Sequence, residues 1–143
     1  MKYKKCKVVF CIIFVIAVGI QFIPVNRTNP PVTGEIEAPE EIMAILHRSC
    51  FDCHSNETKW PWYSYVAPAS WLVTKDVRDA RSHINFSEWV NYNSKQQKHK
   101  QEECGEMVAI GEMPLWFYLP LHSEAALSNE DIDVLVTWSK VKQ

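Results

Sequence analysis

Residues 40–54 have the sequence Glu-Glu-Ile-Met-Ala-Ile-Leu-His-Arg-Ser-Cys-Phe-Asp-Cys-His. Ile42, Ile45 and Leu46 follow the spacing i, i+3, i+4, which predicts an amphipathic helix with one apolar face. Pro39 suits the start of that helix, and the two glutamates that follow it complement the positive end of the helix dipole. The stretch therefore predicts a helix that leads directly into a Cys-x-x-Cys-His motif.

The motif Cys50-Phe51-Asp52-Cys53-His54 is the attachment signature of c-type haem. Two thiols three positions apart match the two vinyl groups on one edge of the porphyrin. The adjacent histidine can then reach the iron. We therefore predict one covalent haem c per chain, held by Cys50, Cys53 and His54.

Three other interpretations of the motif compete with haem. A structural zinc site needs a second ligand pair at similar spacing, and the chain has none. A redox dithiol of the thioredoxin type needs a strand–helix–strand setting, whereas the surrounding sequence predicts helices. An incidental disulfide or a chance match is the third. Haem attachment is favoured because it takes place outside the cytoplasm, and the amino terminus predicts export.

The amino terminus differs in charge from the rest of the chain. Residues 1–24 contain four lysines and no acid, which leaves 11 Lys and Arg against 17 Asp and Glu, a charge of −6. Val8 to Ile23 is apolar except for Gln21. A positive segment before an apolar one is typical of a signal peptide or signal anchor. We expect residues 1–25 to be an anchor, or a cleaved signal, with the domain on the periplasmic face of the inner membrane.

The chain after the anchor divides into a tether and one domain. Residues 26–39 are rich in proline, which predicts a semi-extended spacer. Residues 40–143 predict an all-α domain, because strand alternation and hairpin dipeptides are missing. Candidate helix caps are Ser70, Ser87, the box Ser94–Gln97 and the box Ser128–Asp131. The helix opened by Ser94 is expected to turn Cys104, Met107 and Val108 inward and to end at Gly111.

The residues leave the second axial ligand of the iron open. Met107 fits the apolar face of its helix and is expected in the core. Met113 follows Gly111 and precedes Pro114. Its spacing supports two interpretations equally, a ligand presented by a stiff loop and a side chain that fills the core. His83 and His122 remain as histidine alternatives.

Aromatic and basic residues after the motif have two interpretations each. Trp60, Trp62, Tyr63, Trp71 and Trp116 either fill the core or surround the porphyrin. Lys59, Arg78 and Arg81 either pair with haem propionates or lie on a solvated surface.

Several blocks of the sequence together resemble a known family. They are Cys50-Phe51-Asp52-Cys53-His54-Ser55, Trp60-Pro61-Trp62-Tyr63-Ser64, Asn85-Phe86-Ser87 with Trp89, and Gly111-Glu112-Met113-Pro114. Their order resembles the bacterial haem-binding-domain family of small c-type cytochromes, over about residues 40–140. The resemblance implies a monohaem, cytochrome c-like helical fold and Met113 as the distal ligand. Cys104 matches no family position and is expected to be a buried free thiol.

These observations favour an electron carrier over an enzyme. No nucleophile–base pair and no paired carboxylates stand at catalytic spacing. A peroxidase-like enzyme is the third choice, because it would need an open distal site with a catalytic His or Glu, and a single-haem chain of this length disfavours it. The runner-up is a haem-based ligand binder or sensor with an exchangeable sixth position. The acidic domain predicts a redox partner with a basic face, in a respiratory or peroxidase chain. The small overall charge of −2 argues against nucleic acid as a partner.

Overall fold

The computed structural model describes residues 2–141 and is all-helical over that range. The α-helices are α1 (Lys2–Gly19), α2 (Glu40–Ser49), α3 (Phe51–His54), α4 (Ala69–His83), α5 (Ser94–Ala109) and α6 (Asn129–Ser139). Short 3-10 turns lie at Ile20–Phe22, Trp62–Tyr65, Trp89–Asn91, Leu119–Leu121 and Ser123–Ala125. No β-strand forms within residues 2–141, where Gly34 and Glu88 make one isolated bridge. The prediction of an all-α fold is confirmed.

Helix α2 has the apolar face that its spacing predicts. Ile42, Ile45 and Leu46 are buried in the core, Leu46 completely. Burial of a side chain of this size stabilises the fold by about 1.5–3 kcal/mol. Arg48 at the end of α2 donates to Asp131 of α6 at 2.8 Å, so the two helices are also joined by an ion pair.

Helices α5 and α6 form the closest helix pair of the domain. A Cβ added to Gly105 would overlap the Ser139 side chain and would lie 3.6 Å from Val136 Cα, so α5 approaches α6 closely where both residues are small. Gln101 reaches across from α5 and donates to the Trp138 carbonyl at 2.7 Å. Val108 and Leu135 are buried between the surrounding helices, so this pair supports one side of the core.

The helix caps agree with the sequence in one case and differ in the others. Ser128 and Asp131 form the predicted capping box of α6. On α5 the box uses Asn93 and Gln96, one residue before the predicted pair, because the Asn93 side chain accepts from the Gln96 N–H. The predicted box at Ser94 is therefore wrong by one position.

Two further cap predictions are wrong because their serines are used elsewhere. Ser70 lies inside α4, which begins at Ala69 and continues to His83, and it is buried. The Ser87 hydroxyl accepts from the Asn56 N–H at 3.0 Å, and the following 3-10 turn starts at Trp89 without a side-chain cap. Both serines belong to the packed interior, where the Ser87 hydroxyl satisfies a buried backbone group.

The proline-rich segment before α2 is extended and lies against the domain. Ile36 is only 2% exposed and belongs to the core. Its N–H donates to the Phe86 carbonyl at 2.9 Å, and Thr33 and Gly34 both donate to the Ser87 carbonyl. The segment is thus fixed to the domain over its second half and is not a free spacer there. The division of the chain into anchor, tether and domain stays a prediction.

Helix α1 projects from the domain. An 18-residue window, Lys5–Phe22, has a mean hydropathy of 2.1 and none of it is buried. By length and composition this helix is able to cross a membrane, and a signal sequence would show the same properties.

Candidate functional site

The Cys-x-x-Cys-His motif forms a single helical turn at the end of α2. Cys50 closes α2, because its N–H donates to the Leu46 carbonyl at 2.8 Å and its own φ of −125° leaves the helical region. Helix α3 then starts, and the N–H groups of Cys53 and His54 donate to the Cys50 carbonyl at 3.2 and 2.9 Å. Both cysteines are free thiols and half-buried. The turn brings together the two thiols and the imidazole that the sequence predicts.

The imidazole of His54 is fixed by one hydrogen bond. Its Nδ1 lies 3.2 Å from the carbonyl oxygen of Ile84. A carbonyl can only accept, so Nδ1 bears the hydrogen. Burial lowers the pKa of His54, which favours the neutral ring with a free lone pair on Nε2. This tautomer is the one that a metal-ligating histidine needs, with its other nitrogen held by a backbone carbonyl.

A buried polar network holds the segment that fixes His54. Phe86 N–H donates to the His54 carbonyl at 2.8 Å. The Asn85 amide donates to Asn56 Oδ1 at 2.9 Å and its Oδ1 accepts from the Ser87 N–H at 3.0 Å. The Asn-Phe-Ser block was noticed in the sequence as part of the resemblance, but its role was missed. It ties residues 84–87 to the backbone that follows the motif.

A cleft with about 580 Å³ of free space, including its open mouth, lies between these residues and α5. We call it the first cleft. It is lined by Ser49, Cys50, His54, His83, Ile84, Phe86, Lys100, Glu103, Cys104, Met107, Val108, Met113, Pro114 and Leu127. Three of the four predicted site residues, Cys50, His54 and Met113, therefore share one cleft.

The loop after α5 brings Met113 to the first cleft. Gly111 has a φ of +74°, the left-handed conformation that glycine adopts without strain and that commonly ends a helix. The Met113 N–H then donates to the Met107 carbonyl at 3.3 Å. Met107 was expected in the core, but it too is half-buried and lines the first cleft. Two thioethers are therefore available on the α5 side.

The two histidine alternatives differ in their surroundings. His83 lines the first cleft, but its Nε2 lies 2.9 Å from Glu103 Oε1 and its side chain is largely exposed. His122 has Tyr63 Oη at 2.7 Å from Nε2 and Glu124 at 3.3 Å from Nδ1, and its ring stacks on Tyr118 at 4.0 Å. Both nitrogens of His122 are thus engaged by neighbouring side chains.

A second cleft lies beside the motif on the side of Asp52. It has about 730 Å³ of free space. The Asp52 carboxylate accepts from Tyr118 Oη at 2.9 Å and from the Lys59 N–H at 3.1 Å. Of the five aromatics considered as porphyrin neighbours, Tyr63 lines this cleft, whereas Trp62 and Trp116 are 74% and 80% exposed.

The guanidinium of Arg81 is hydrogen-bonded to several other parts of the chain. Its guanidinium donates to the carbonyls of Ser55 and Thr28 and to the side chains of Asn29 and Thr58, all at 2.7–2.9 Å. It therefore joins the proline-rich segment to the backbone after the motif. The prediction of a propionate partner at this position is not supported, because these contacts occupy the guanidinium.

Burial has the same effect on the pKa values of the two motif thiols and of Cys104. Burial raises the pKa of Cys50, and it raises the pKa of Cys53 and of Cys104 to about 11. All three therefore keep their hydrogen at neutral pH. Cys104 is half-buried as a free thiol and lines the first cleft next to the motif, which the sequence did not show.

The first cleft fits a flat apolar group better than a bare metal ion. Ser49 Oγ is buried beside it with no hydrogen-bond partner within the described residues, while most of the lining side chains are apolar. Over residues 2–141, no group of three or more His, Cys, Asp or Glu side chains is close enough to hold a metal ion. One histidine aimed by a backbone carbonyl, two thiols and an apolar cleft suit a porphyrin.

Comparison with known proteins agrees with this geometry. A family model described as a haem-binding domain matches residues 15–141, a range that begins within α1 and includes the extended segment and the whole helical domain. No curated protein and no solved structure matches the chain. Because the match covers most of the sequence, this chain belongs to the haem-binding domain family.

Proposed function

We propose that the chain is a membrane-tethered electron carrier on the periplasmic face of the inner membrane. One haem is attached through Cys50 and Cys53, and its iron is ligated by His54 and Met113. The observation that supports this most is the first cleft, which the His54 imidazole, the Met113 side chain and Cys50 all line.

Covalent attachment would use the two thiols of the motif. Each thiol would add across one vinyl group, with a new sulfur–carbon bond on one vinyl carbon and the thiol hydrogen on the other. The addition needs no oxidant and no reductant, provided that both sulfurs are reduced thiols. Cys50 and Cys53 are free thiols here, as this addition requires.

The ligand pair determines which oxidation state is favoured. When bound, the haem supplies a one-electron ferrous–ferric couple. The Ile84 carbonyl holds the His54 ring in the ligating tautomer, and a methionine thioether as the second ligand raises the reduction potential. A carrier needs no proton donor or nucleophile, so we assign no catalytic residue and propose that the chain is not an enzyme.

Charge and the amino-terminal helix support the remaining parts of the proposal. The chain after residue 24 has a charge of −6, which favours a redox partner with a basic face, in a respiratory or peroxidase chain. Helix α1 is exposed, and the lysines in its first two turns, before its apolar part, favour a cytoplasmic end.

A second candidate function is a haem-based ligand binder or sensor. It is favoured by the way Met113 is held, since the loop is joined to the end of α5 through backbone hydrogen bonds of 3.0–3.3 Å from Gly111, Glu112 and Met113, which fix the backbone and leave the thioether itself unconstrained. A loosely held sixth ligand exchanges with small molecules such as carbon monoxide.

The first test is the intact mass and visible spectrum of the full chain made with a haem c maturation system. We expect one haem increment that survives denaturation and a low-spin ferrous spectrum that carbon monoxide does not change. A mass without the increment contradicts covalent attachment. A ferrous protein that binds carbon monoxide readily favours the second candidate.

A matched pair of variants tests the distal ligand. Met113→Ala and Met107→Ala each remove one thioether from the first cleft. We expect Met113→Ala to open the iron to carbon monoxide and to lower the reduction potential, while Met107→Ala leaves both unchanged. The reverse result assigns Met107 as the ligand.

A further inference from the structure

The segment after the motif is unusual for an acidic domain because it has no charge over fifteen residues. Residues 60–74 contain no Asp, Glu, Lys, Arg or His. Several of their large side chains are exposed: Trp62 (74%), Tyr65 (60%), Val66 (46%) and Leu72 (50%). We call these four residues the aromatic surface. Trp62, Tyr65 and Val66 lie on or directly after one 3-10 turn, and Leu72 follows in the first part of α4. Exposed apolar groups so close along the chain indicate a contact with something other than water.

The aromatic surface begins where the apolar helix ends. Gln21 is the penultimate residue of the Lys5–Phe22 window. Its Oε1 accepts from the Ala67 N–H at 2.9 Å, and its Nε2 donates to the Ala67 carbonyl at 3.1 Å. Both hydrogen-bonding groups of one side chain thus bind the backbone next to Val66.

A second contact extends this junction. Arg27 donates to the Ser64 carbonyl at 3.0 Å, and its guanidinium carbon lies 4.4 Å from the centre of the Tyr65 ring. The end of α1 and the chain just after it are therefore fixed to residues 64–67. The domain does not hang freely from the helix at this point.

These contacts set the depth of the aromatic surface relative to a bilayer. If Lys5–Phe22 spans the hydrocarbon, Gln21 lies at its outer boundary, and Ala67 lies at the same level. Tryptophan and tyrosine are enriched at that boundary, where an apolar ring meets the polar headgroups. A domain of charge −6 would otherwise be repelled by anionic lipid, and the charge-free segment is the part that escapes this repulsion.

We propose that the aromatic surface lies in the headgroup layer of the outer leaflet of the membrane that α1 spans. The occupant is thus the phospholipid surface, and the Gln21–Ala67 pair orients the domain on it. This inference rests on the membrane tether of the proposed function. It adds that the haem domain lies against the bilayer in one orientation.

The test uses the full haem-loaded chain in liposomes of phosphatidylcholine and phosphatidylglycerol. A photoreactive p-benzoylphenylalanine replaces Tyr65 in one variant and Val90 in a second. The two positions are a matched pair, since both residues are 60% exposed. Val90 contacts Gly34. Gly34 lies thirteen positions beyond Gln21 along the extended chain, so position 90 is not part of the Gln21–Ala67 junction.

We expect position 65 to form phospholipid adducts about tenfold more than position 90, because only the former lies at the interface. An unchanged haem spectrum in both variants shows that the domain is folded. Equal yields at the two positions, or no lipid adduct at 65, overturn the proposal. Flotation with the liposomes distinguishes the membrane tether from the docking of the aromatic surface. A chain that does not float contradicts the tether itself, whereas one that floats without an adduct contradicts only the docking.

Discussion

The two sides of the first cleft are built differently. The proximal wall, which comprises Cys50, His54 and residues 84–87, is held by buried hydrogen bonds among backbone and amide groups. The distal wall, which comprises Cys104, Met107, Val108 and the loop Gly111–Pro114, depends on helix packing and on one turn. Buried hydrogen bonds fix a group in one position, whereas a turn at the end of a helix allows small displacements. The comparison indicates that His54 is held rigidly, whereas the position of Met113 is adjustable.

The largest expected effect comes from Asn85→Ala in the proximal wall. The change leaves Asn56 Oδ1 and the Ser87 N–H buried without their partner. We expect the free energy of unfolding to fall by about 2–4 kcal/mol, since each unsatisfied buried group costs about 1–3 kcal/mol. Urea unfolding of the haem-loaded chain in detergent measures it.

Asn91→Ala is the control for that variant. The Asn91 amide is exposed and donates to Thr33 Oγ1 at 3.2 Å, so its loss should change the free energy of unfolding by less than about 0.5 kcal/mol. Similar losses in the two variants would show that the proximal wall does not depend on its buried network.

The next effect is expected at Gly105, which supports the distal wall from behind. In Gly105→Ala the new methyl group would lie 2.5 Å from Ser139 Cβ, so α5 must move away from α6. Such overpacking costs about 1–3 kcal/mol. The double variant Gly105→Ala/Ser139→Gly exchanges the two small residues and should recover part of the loss. Additive losses in the double variant would contradict a direct clash.

A smaller effect is expected at Gly111, where the loop that bears Met113 begins. Nothing lies within 4 Å of a Cβ added at Gly111, so only its φ of +74° matters. Gly111→Ala should lower the free energy of unfolding by about 1 kcal/mol. Gly111→Asn should cost less, because asparagine tolerates this conformation. Equal losses in thermal unfolding would point to a cause other than the backbone.

The smallest effect concerns the cap of α6, the helix behind α5. The Ser128 N–H and Arg48 hold the pKa of Asp131 below its usual value. A carboxyl whose pKa is lower in the folded than in the unfolded chain stabilises the folded state at pH values above its unfolded pKa of about 4. This contribution disappears as the pH falls through the folded pKa. Wild type should lose stability below about pH 4 by under 1 kcal/mol at this partly exposed site.

Asp131→Asn should lose less stability than the wild type when the pH falls from about 5 to about 2, the range in which carboxyl groups titrate. The neutral Asn93–Gln96 box of α5 provides the control, because Asn93→Ala should lower the melting temperature by the same amount at every pH. If Asp131→Asn keeps the full acid loss, another carboxyl is responsible.

Much of this protein could be predicted from local sequence. The i, i+3, i+4 spacing on α2 gave the buried face, and Ser128 with Asp131 gave the start of α6, because both signals act within one or two helical turns. The Cys-x-x-Cys-His motif and the order of the later blocks indicated a haem-binding domain, which the family comparison confirms. The predicted caps failed for separate reasons: α4 already begins at Ala69, before Ser70, the Ser87 hydroxyl bonds to Asn56 from a distant part of the chain, and Asn93 caps α5 in place of Ser94.

The sequence by itself determined the helices, the motif and the apolar amino terminus, since each follows from the period, charge or composition of neighbouring residues. Only the tertiary structure decided which groups meet across the chain. It brought Ile84 to His54 over thirty positions, set Met107 beside Met113 in one cleft, used Arg81 as a structural link, and joined Gln21 to Ala67. Such contacts depend on how the helices pack, and no local pattern specifies them.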